Sequence, residues 1–229
     1  GLTLAALTGT ALLLAQDFNA AARYGFNGLF VADALAQLAK LGMVAGVALV
    51  LVYGRGYAIA RHFFRGELFA LTLFALLGMM VMASSANFIS LYVGLELLSL
   101  SLYALVSIER DSARGAEAAM KYFVLGSLAS GLLLYGMSMV YGATGSLDIV
   151  QIARGIADNQ ANPLLAQFGL VFIVTGIGFK LGAVPFHMWV PDVYDGAPTP
   201  LAQLIGSAPK LAAFAFIFRL LAGALAGFM

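Results

Sequence analysis

Phe172-Ile-Val-Thr-Gly-Ile-Gly-Phe-Lys180-Leu-Gly-Ala-Val-Pro185 is an apolar run that holds one lysine and ends on a proline. Toward the N-terminus it continues without a charge to Pro163; toward the C-terminus it meets His187, Trp189 and Asp192. A membrane-spanning helix needs roughly 20 mostly apolar residues at about 1.5 Å rise each, and this segment supplies them. Pro185 has no N–H, and its ring collides with the carbonyl of Leu181, so a helix must kink or break there. Gly176, Gly178 and Gly182 loosen the approach to that point. Non-helical backbone at membrane depth persists only when buried in protein or lining a wet cavity. The segment from Pro163 to about Val193 is therefore predicted to be one discontinuous spanning element, with Lys180 near its middle. Freed carbonyls and the C-terminus of a half-helix would favour a cation at that place.

Outward from this segment the apolar pattern recurs. Of 229 residues, 62% are hydrophobic and 10% charged, whereas soluble domains average about 45–50% apolar and about 25% charged. So few polar side chains cannot cover a water-exposed surface. Further spans are predicted over Leu2–Ala15, about Leu35–Tyr53, Leu68–Ala86, Asn87–Ile108, Ala116–Tyr141 and about Leu201–Leu221. A tight turn at Ser84–Asn87 joins the third and fourth. Asn27-Gly28, Arg55-Gly56, Gly142–Gly145 and Asp158–Pro163 read as turns or breakers. Between Gly145 and Gln160 the spacing of Leu147, Ile149, Val150, Ile152, Ala153 and Ile156 suits a short helix lying in the membrane interface. The fold class is all-α: a polytopic transmembrane bundle of about seven helices, one discontinuous, forming a single domain over residues 1–229. The chain opens at Gly1 inside one apolar run and closes at Met229 just after another, which suggests a span of a longer membrane protein. No basic n-region or small-residue cleavage site points to a signal peptide.

Loop charges set an orientation. Arg55, Arg61, Arg65, Arg110 and Arg114 fall on one side, against Arg23 and Arg154 on the other. The positive-inside rule places the richer side in the cytoplasm. The first helix then runs outward and the second returns.

Several function classes are excluded or weakened. Without cysteine there are no disulfides, thiolate metal sites or ligated iron–sulfur clusters. His62 and His187 are far apart and form no ligand-spaced pair. No glycine-rich phosphate loop is present. A net charge of +1 and the lack of a basic patch argue against nucleic acid. Any redox cofactor would belong to a partner.

Charges inside the spans need explaining, because one at a helix centre costs about 2.5–3.5 kcal/mol on insertion scales. Glu96 lies roughly 13 Å into the fourth helix at helical rise. Tyr92, Glu96, Ser99 and Tyr103 form one polar stripe on it. Lys180 sits before the break, and Lys210 directly follows Pro209 in the seventh helix. For each, the alternative to function is a structural group hydrogen-bonded in place. Lys121 is near the start of the fifth helix, where a long side chain can snorkel. Lys40 reads as an interfacial anchor. His187 can relay protons or simply satisfy carbonyls of the broken helix; His62, flanked by Arg61 and Arg65, reads as solvated surface. Burial disfavours the charged form of each group, so one carboxylate and several amines on separate helices suit a chain of exchangeable protons. Glu96 and Lys180 are expected to face each other directly or across a water or two.

The stretch Gly178-Phe-Lys-Leu-Gly-Ala-Val-Pro-Phe-His-Met-Trp-Val-Pro-Asp-Val-Tyr-Asp-Gly-Ala-Pro-Thr-Pro200 resembles the signature of the antiporter-like subunits of respiratory complex I. Its continuation through Ala208-Pro209-Lys210 resembles the N-subunit branch. So do Leu91-Tyr-Val-Gly-Leu-Glu-Leu-Leu-Ser-Leu100 and Ala119-Met-Lys-Tyr-Phe-Val-Leu-Gly126. The resemblance implies an antiporter-like fold of about fourteen helices with inverted repeats, of which this chain would hold roughly the second to the eighth. It implies proton-transfer roles for Glu96, Lys180, Lys210, Lys121 and His187, with a further exit-side lysine beyond Met229. It also implies a bacterial inner-membrane, proton-translocating, non-redox subunit of NADH:quinone oxidoreductase. Its partners would be other membrane subunits of complex I, including a second antiporter-like one. NAD, flavin, iron–sulfur clusters and quinone would lie in partner subunits. Alternatives are a subunit of a multisubunit cation/proton antiporter or membrane-bound hydrogenase, and a self-contained inverted-repeat transporter.

Overall fold

The computed structural model describes residues 1–18, 20–158 and 161–220. In chain order the helices are α1 (Leu2–Gln16), α2 (Ala34–Tyr53), α3 (Arg55–Ala60), α4 (Gly66–Ser84), α5 (Phe88–Val106), α6 (Ala113–Thr144), α7 (Ile149–Ala157), α8 (Pro163–Leu181), α9 (Val190–Gly196), α10 (Thr199–Gly206) and α11 (Ala208–Arg219). Strands β1 (Arg23–Gly25) and β2 (Phe30–Ala32) pair antiparallel between α1 and α2. Among the described residues six segments are long and apolar enough to cross a membrane: α2, α4, α5, α6, α8 and the α10–α11 unit; α1, the first of the about seven spans expected, is a shorter apolar helix of 15 residues. The chain is a multi-pass membrane protein.

Side-chain caps start the helices where the sequence places polar residues. Asp33 accepts from Ala36 N at 2.8 Å and Ser112 from Gly115 N at 3.0 Å. Asp148 accepts from Gln151 N at 2.9 Å and Asn162 from Leu165 N at 3.2 Å. Each satisfies a backbone donor that the first helical turn leaves free. Two elements were not foreseen. The Asn27-Gly28 turn closes a small hairpin, and α3 forms inside the arginine-rich loop.

Packing depends on backbone-to-backbone approach. A Cβ at Gly78 would sit 2.6 Å from the carbonyl oxygen of Gly94, so α4 and α5 meet nearly backbone to backbone. Between α6 and α8, Gly136 faces Gly169 in the same way, and Gly176 lies against Leu133. Small residues at the seam are how helices associate where lipid offers no hydrophobic drive between them. The α11 helix fills the remaining side, against α2, α4 and α8.

The expected break in the sixth span is present: α8 stops at Leu181, Gly182 takes a left-handed φ of 68°, and α9 begins only at Val190. The seventh span differs from expectation, since it is interrupted at Ser207 between α10 and α11. Pro209 explains this, because it cannot donate to Ile205 and its ring crowds that carbonyl. Its expected end at Leu221 falls outside the described residues, as do residues 159–160 of the loop before α8. The short α7 helix turns its apolar face onto the bundle, burying Ile149, Ile152 and Ile156.

The two ends of the bundle are chemically distinct. At one end the hairpin, the α4–α5 turn and the approach to α7 are stitched together. Ala86 N donates to Leu29 O at 2.9 Å, Phe88 N to Leu147 O at 2.9 Å and Ile149 N to Ala86 O at 3.1 Å. Arg154 belongs to this end. At the other, Arg110 Nη2 meets Glu67 Oε1 at 2.7 Å, and Arg114 Nη1 meets Asp195 Oδ2 at 3.5 Å. Arg61, His62, Arg65, Arg110 and Asp111 line a cavity of about 510 Å³ there. Three of the five arginines predicted to share a face, Arg61, Arg65 and Arg110, meet at this cavity.

Candidate functional site

Where α8 ends, four carbonyls have no helical partner. Gly182 N returns to Phe179 O at 3.0 Å and Ala183 N to Gly178 O at 2.9 Å. The indole of Trp189 reaches back across the break, and its Nε1 donates to Phe179 O at 2.9 Å. That ring is buried, stacked on Tyr122 of α6 with centroids 4.7 Å apart and planes 12° from parallel. Leu181 O accepts from Nζ of Lys210, which α11 carries into the gap. The ammonium also lies 5.7 Å from the centroid of Trp189, within cation–π range. Gly182 has to be a glycine. A Cβ there would press to 2.8 Å on Val190 Cγ2, and its positive φ disfavours any other residue.

The sequence predicted a cation for this half-helix terminus and named Lys180. The cation that caps it is Lys210. Lys180 instead crosses to α5, where its Nζ donates to Ser99 Oγ at 2.7 Å; that hydroxyl donates to Leu95 O at 2.7 Å. The reason is geometric. Lys180 is still within α8, so its side chain leaves the helix laterally, whereas only a group from another helix can face the helix end.

Glu96 lies one turn from Ser99 on α5, and its Oε1 is buried with no hydrogen-bond partner. Among the described residues Glu96 and Lys180 make no ion pair within 4.0 Å. The helices α5 and α8 do bring the two groups to one region, but a serine occupies the direct contact expected for the carboxylate.

The remaining candidates are placed differently. Lys121 is 43% exposed and paired with Glu117 at 2.9 Å and Asp192 at 3.0 Å. It is an ion cluster on the flank of α6 toward the arginine-rich end. His187 is exposed, next to exposed Val184 and Met188, so the reading in which a buried histidine satisfies broken-helix carbonyls does not hold. Lys40 borders a groove beneath the hairpin, with Arg23, Tyr24, Phe30 and Met80, and His62 borders the cavity of the opposite end.

Sequence reasoning missed three contacts. Trp189 stitches the break, Asp192 holds Lys121, and Arg219 Nη2 bonds Asp33 Oδ1 at 2.7 Å while its Nε donates to Ala83 O at 2.8 Å. Trp and Asp after a helix-breaking proline were visible signals; the pairing of residues 33 and 219 was not. Taken together, α5, α8 and α11 bring a carboxylate, a hydroxyl and two amines to a helix break. Groups of that kind can accept and release protons without any bound cofactor.

NADH-quinone oxidoreductase subunit N of Laribacter hongkongensis is 62% identical over 200 residues, covering 87% of this chain and 41% of the relative. Its counterpart from Nitrosomonas europaea is 56% identical over 224 residues, covering 98% of this chain and 47% of the relative. The chain thus spans less than half the length of the relatives it matches. A chain of respiratory complex I from Thermus thermophilus, solved with bound aureothin, superposes with a TM-score of 0.81 at 35% identity over 95% of this chain and 46% of that one. A chain of the Mrp complex from Dietzia sp. DQ12-45-1b shares the fold, with a TM-score of 0.80 at 21% identity over 99% of this chain and 44% of that one. A family model described as "NADH:quinone oxidoreductase/Mrp antiporter, TM" matches residues 85–228, and the chain belongs to that family.

Proposed function

We propose that this chain is part of the N subunit of a bacterial NADH:quinone oxidoreductase, and that it moves protons across the inner membrane. On this reading NADH oxidation and quinone reduction take place in other subunits, which carry the nicotinamide, flavin, iron–sulfur and quinone sites. This chain contributes no redox group. Its neighbours are other membrane subunits of complex I, a second antiporter-like subunit among them. The arginine-rich end faces the cytoplasm.

One observation carries the proposal: Lys180 of α8 reaches Ser99, one turn from the orphaned carboxylate of Glu96, while Lys210 of α11 caps the α8 break beside it. A structural ion pair would be closed and fully bonded. Here the carboxylate and the amine make no ion pair, and the amine is held by a hydroxyl one helical turn from the carboxylate, an arrangement suited to protons that move. Lys121 and His187 take outer positions on the same route. Identities of 56–62% to named N subunits favour complex I over the other machines that share the fold.

Measuring protons moved per NADH oxidised tests this, with the complete enzyme reconstituted in vesicles. Lys180→Ala and Glu96→Gln should lower that ratio while electron transfer from NADH to an artificial acceptor persists. Glu96→Asp, shorter by one methylene, should be milder. Wild-type ratios in both loss variants would reject the reading. The fold shared with the Mrp chain supports a second reading, a subunit of a cation/proton antiporter. Purification of the tagged full-length protein separates the two, because only the first brings flavin and iron–sulfur subunits with it.

A further inference from the structure

Three buried polar atoms near the break have no hydrogen-bond partner: Glu96 Oε1, Tyr103 Oη and Ser130 Oγ. Buried polar groups are almost always bonded, so three together on one seam call for a common explanation.

Their register shows that they share the α5–α6 seam. The phenol of Tyr103 lies over Gly126 of α6, where any Cβ would collide with its oxygen. The two helices run antiparallel. The phenol leans back along α5 toward Ser99, as helical side chains lean to the N-terminus; Gly126 therefore lies near the level of Ser99, and Ser130, one turn further along α6, lies toward the level of Glu96. Both serines are buried, 3% exposed each. Lys180 enters at the level of Ser99 from α8, the helix that packs on α6 through Gly176 and Leu133. Glu96 lies one further turn along α5.

We propose that Ser99 is the relay through which a proton passes between Lys180 and Glu96, and that Ser130 holds the water that completes it. The proposal deepens the function given above and rests on it. A serine hydroxyl has one donor and two acceptor sites and rotates freely about its C–O bond. As it stands, Ser99 accepts from Lys180 and spends its own hydrogen on Leu95 O. That is the resting position. When the O–H turns from Leu95 O toward Ser130, a continuous line forms. The ammonium gives a proton to Ser99 Oγ, and the hydroxyl's former proton passes to the water. The water gives one of its protons to the Glu96 carboxylate. The products are a neutral amine and a neutral carboxylic acid, with serine and water regenerated. A water between two serines, a carboxylate and a phenol has the polar partners a buried water needs.

The test uses the complete enzyme in vesicles, reading protons moved per NADH oxidised and the solvent deuterium isotope effect on pumping. Ser99→Ala should fall to the ratio of Lys180→Ala, and Ser99→Thr, which keeps the hydroxyl, should restore pumping. Ser130→Ala should give a partial loss with an enlarged isotope effect, which a purely packing role would not move. If Ser99→Ala does not assemble, Ser99→Thr is compared with Ser99→Cys. The hydroxyl variant should pump and the thiol, a weak hydrogen-bonding group, should not. Full pumping by Ser99→Ala where Lys180→Ala fails to pump would overturn the relay and leave the proposed function standing, as would equal pumping by the threonine and cysteine variants. Full pumping by both Lys180→Ala and Glu96→Gln would overturn the relay and the proposed function together.

Discussion

Lys210 Nζ donates to the carbonyl of Leu181, the last residue of α8, and so joins the seventh span to the break in the sixth. The carbonyl end of a helix carries partial negative charge, which an ammonium offsets. Both elements are interrupted, α8 before Pro185 and the α10–α11 unit at Ser207, and the two interruptions meet through this one bond. Replacing Lys210 by alanine strands the Leu181 carbonyl and removes a charged hydrogen bond worth about 1.5–3 kcal/mol. We expect Lys210→Ala to lower both the melting temperature of the assembled protein and its pumping ratio. Lys210→Arg should recover stability but not pumping, since a guanidinium keeps its proton at any accessible pH. Recovery of both by arginine would make Lys210 a structural cap only.

Glycine packing predicts a sharp contrast between neighbouring seams and open surface. Gly94→Val would force a side chain to within 2.9 Å of the Gly78 carbonyl and of Met82 N. Overpacking of this kind costs about 1–3 kcal/mol, and more when backbone blocks it. Gly131→Ala meets nothing within 4 Å on the same kind of helix. It should be neutral or stabilise by up to about 1 kcal/mol. Thermal denaturation of both variants in detergent would show the difference.

The pair Asp33–Arg219 is the most enclosed ion pair described, with side chains 28% and 12% exposed. Losing one member of a buried pair costs about 3–5 kcal/mol, and partial exposure screens this to roughly 1–3 kcal/mol. Arg219→Met should therefore destabilise more than Arg110→Gln. The latter breaks an equally short pair whose side chains are 69% and 52% exposed. Such surface pairs contribute about 0–1 kcal/mol. A denaturation series with both variants checks the order.

Sidedness is testable because the chain has no cysteine. Single cysteines at positions 61 and 154 should react with impermeant reagents from opposite sides of the membrane. The first lines the arginine-rich cavity, and the second lies on α7 at the hairpin end. Labelling of both from one side would require a different number of crossings between them.

The sequence by itself determined the bounds of the six long spans to within a few residues, the break before Pro185 and the gathering of Arg61, Arg65 and Arg110 at one end. These follow from local facts. Twenty apolar residues must be helical in lipid, proline removes a donor, and each crossing alternates sides. It also marked Glu96, Lys180 and Lys210 as out of place. Only the tertiary structure decided what they touch. Lys210, not Lys180, faces the open end of α8; Lys180 finds Ser99 before Glu96; His187 turns outward and Lys121 joins a surface ion cluster. Those outcomes depend on the axial register of α5, α6, α8 and α11, to which close glycine contacts such as Gly126 under Tyr103 and Gly136 against Gly169 contribute. Residues 99 and 180, or 33 and 219, are far apart in sequence, and no periodicity along one helix encodes how it slides against another.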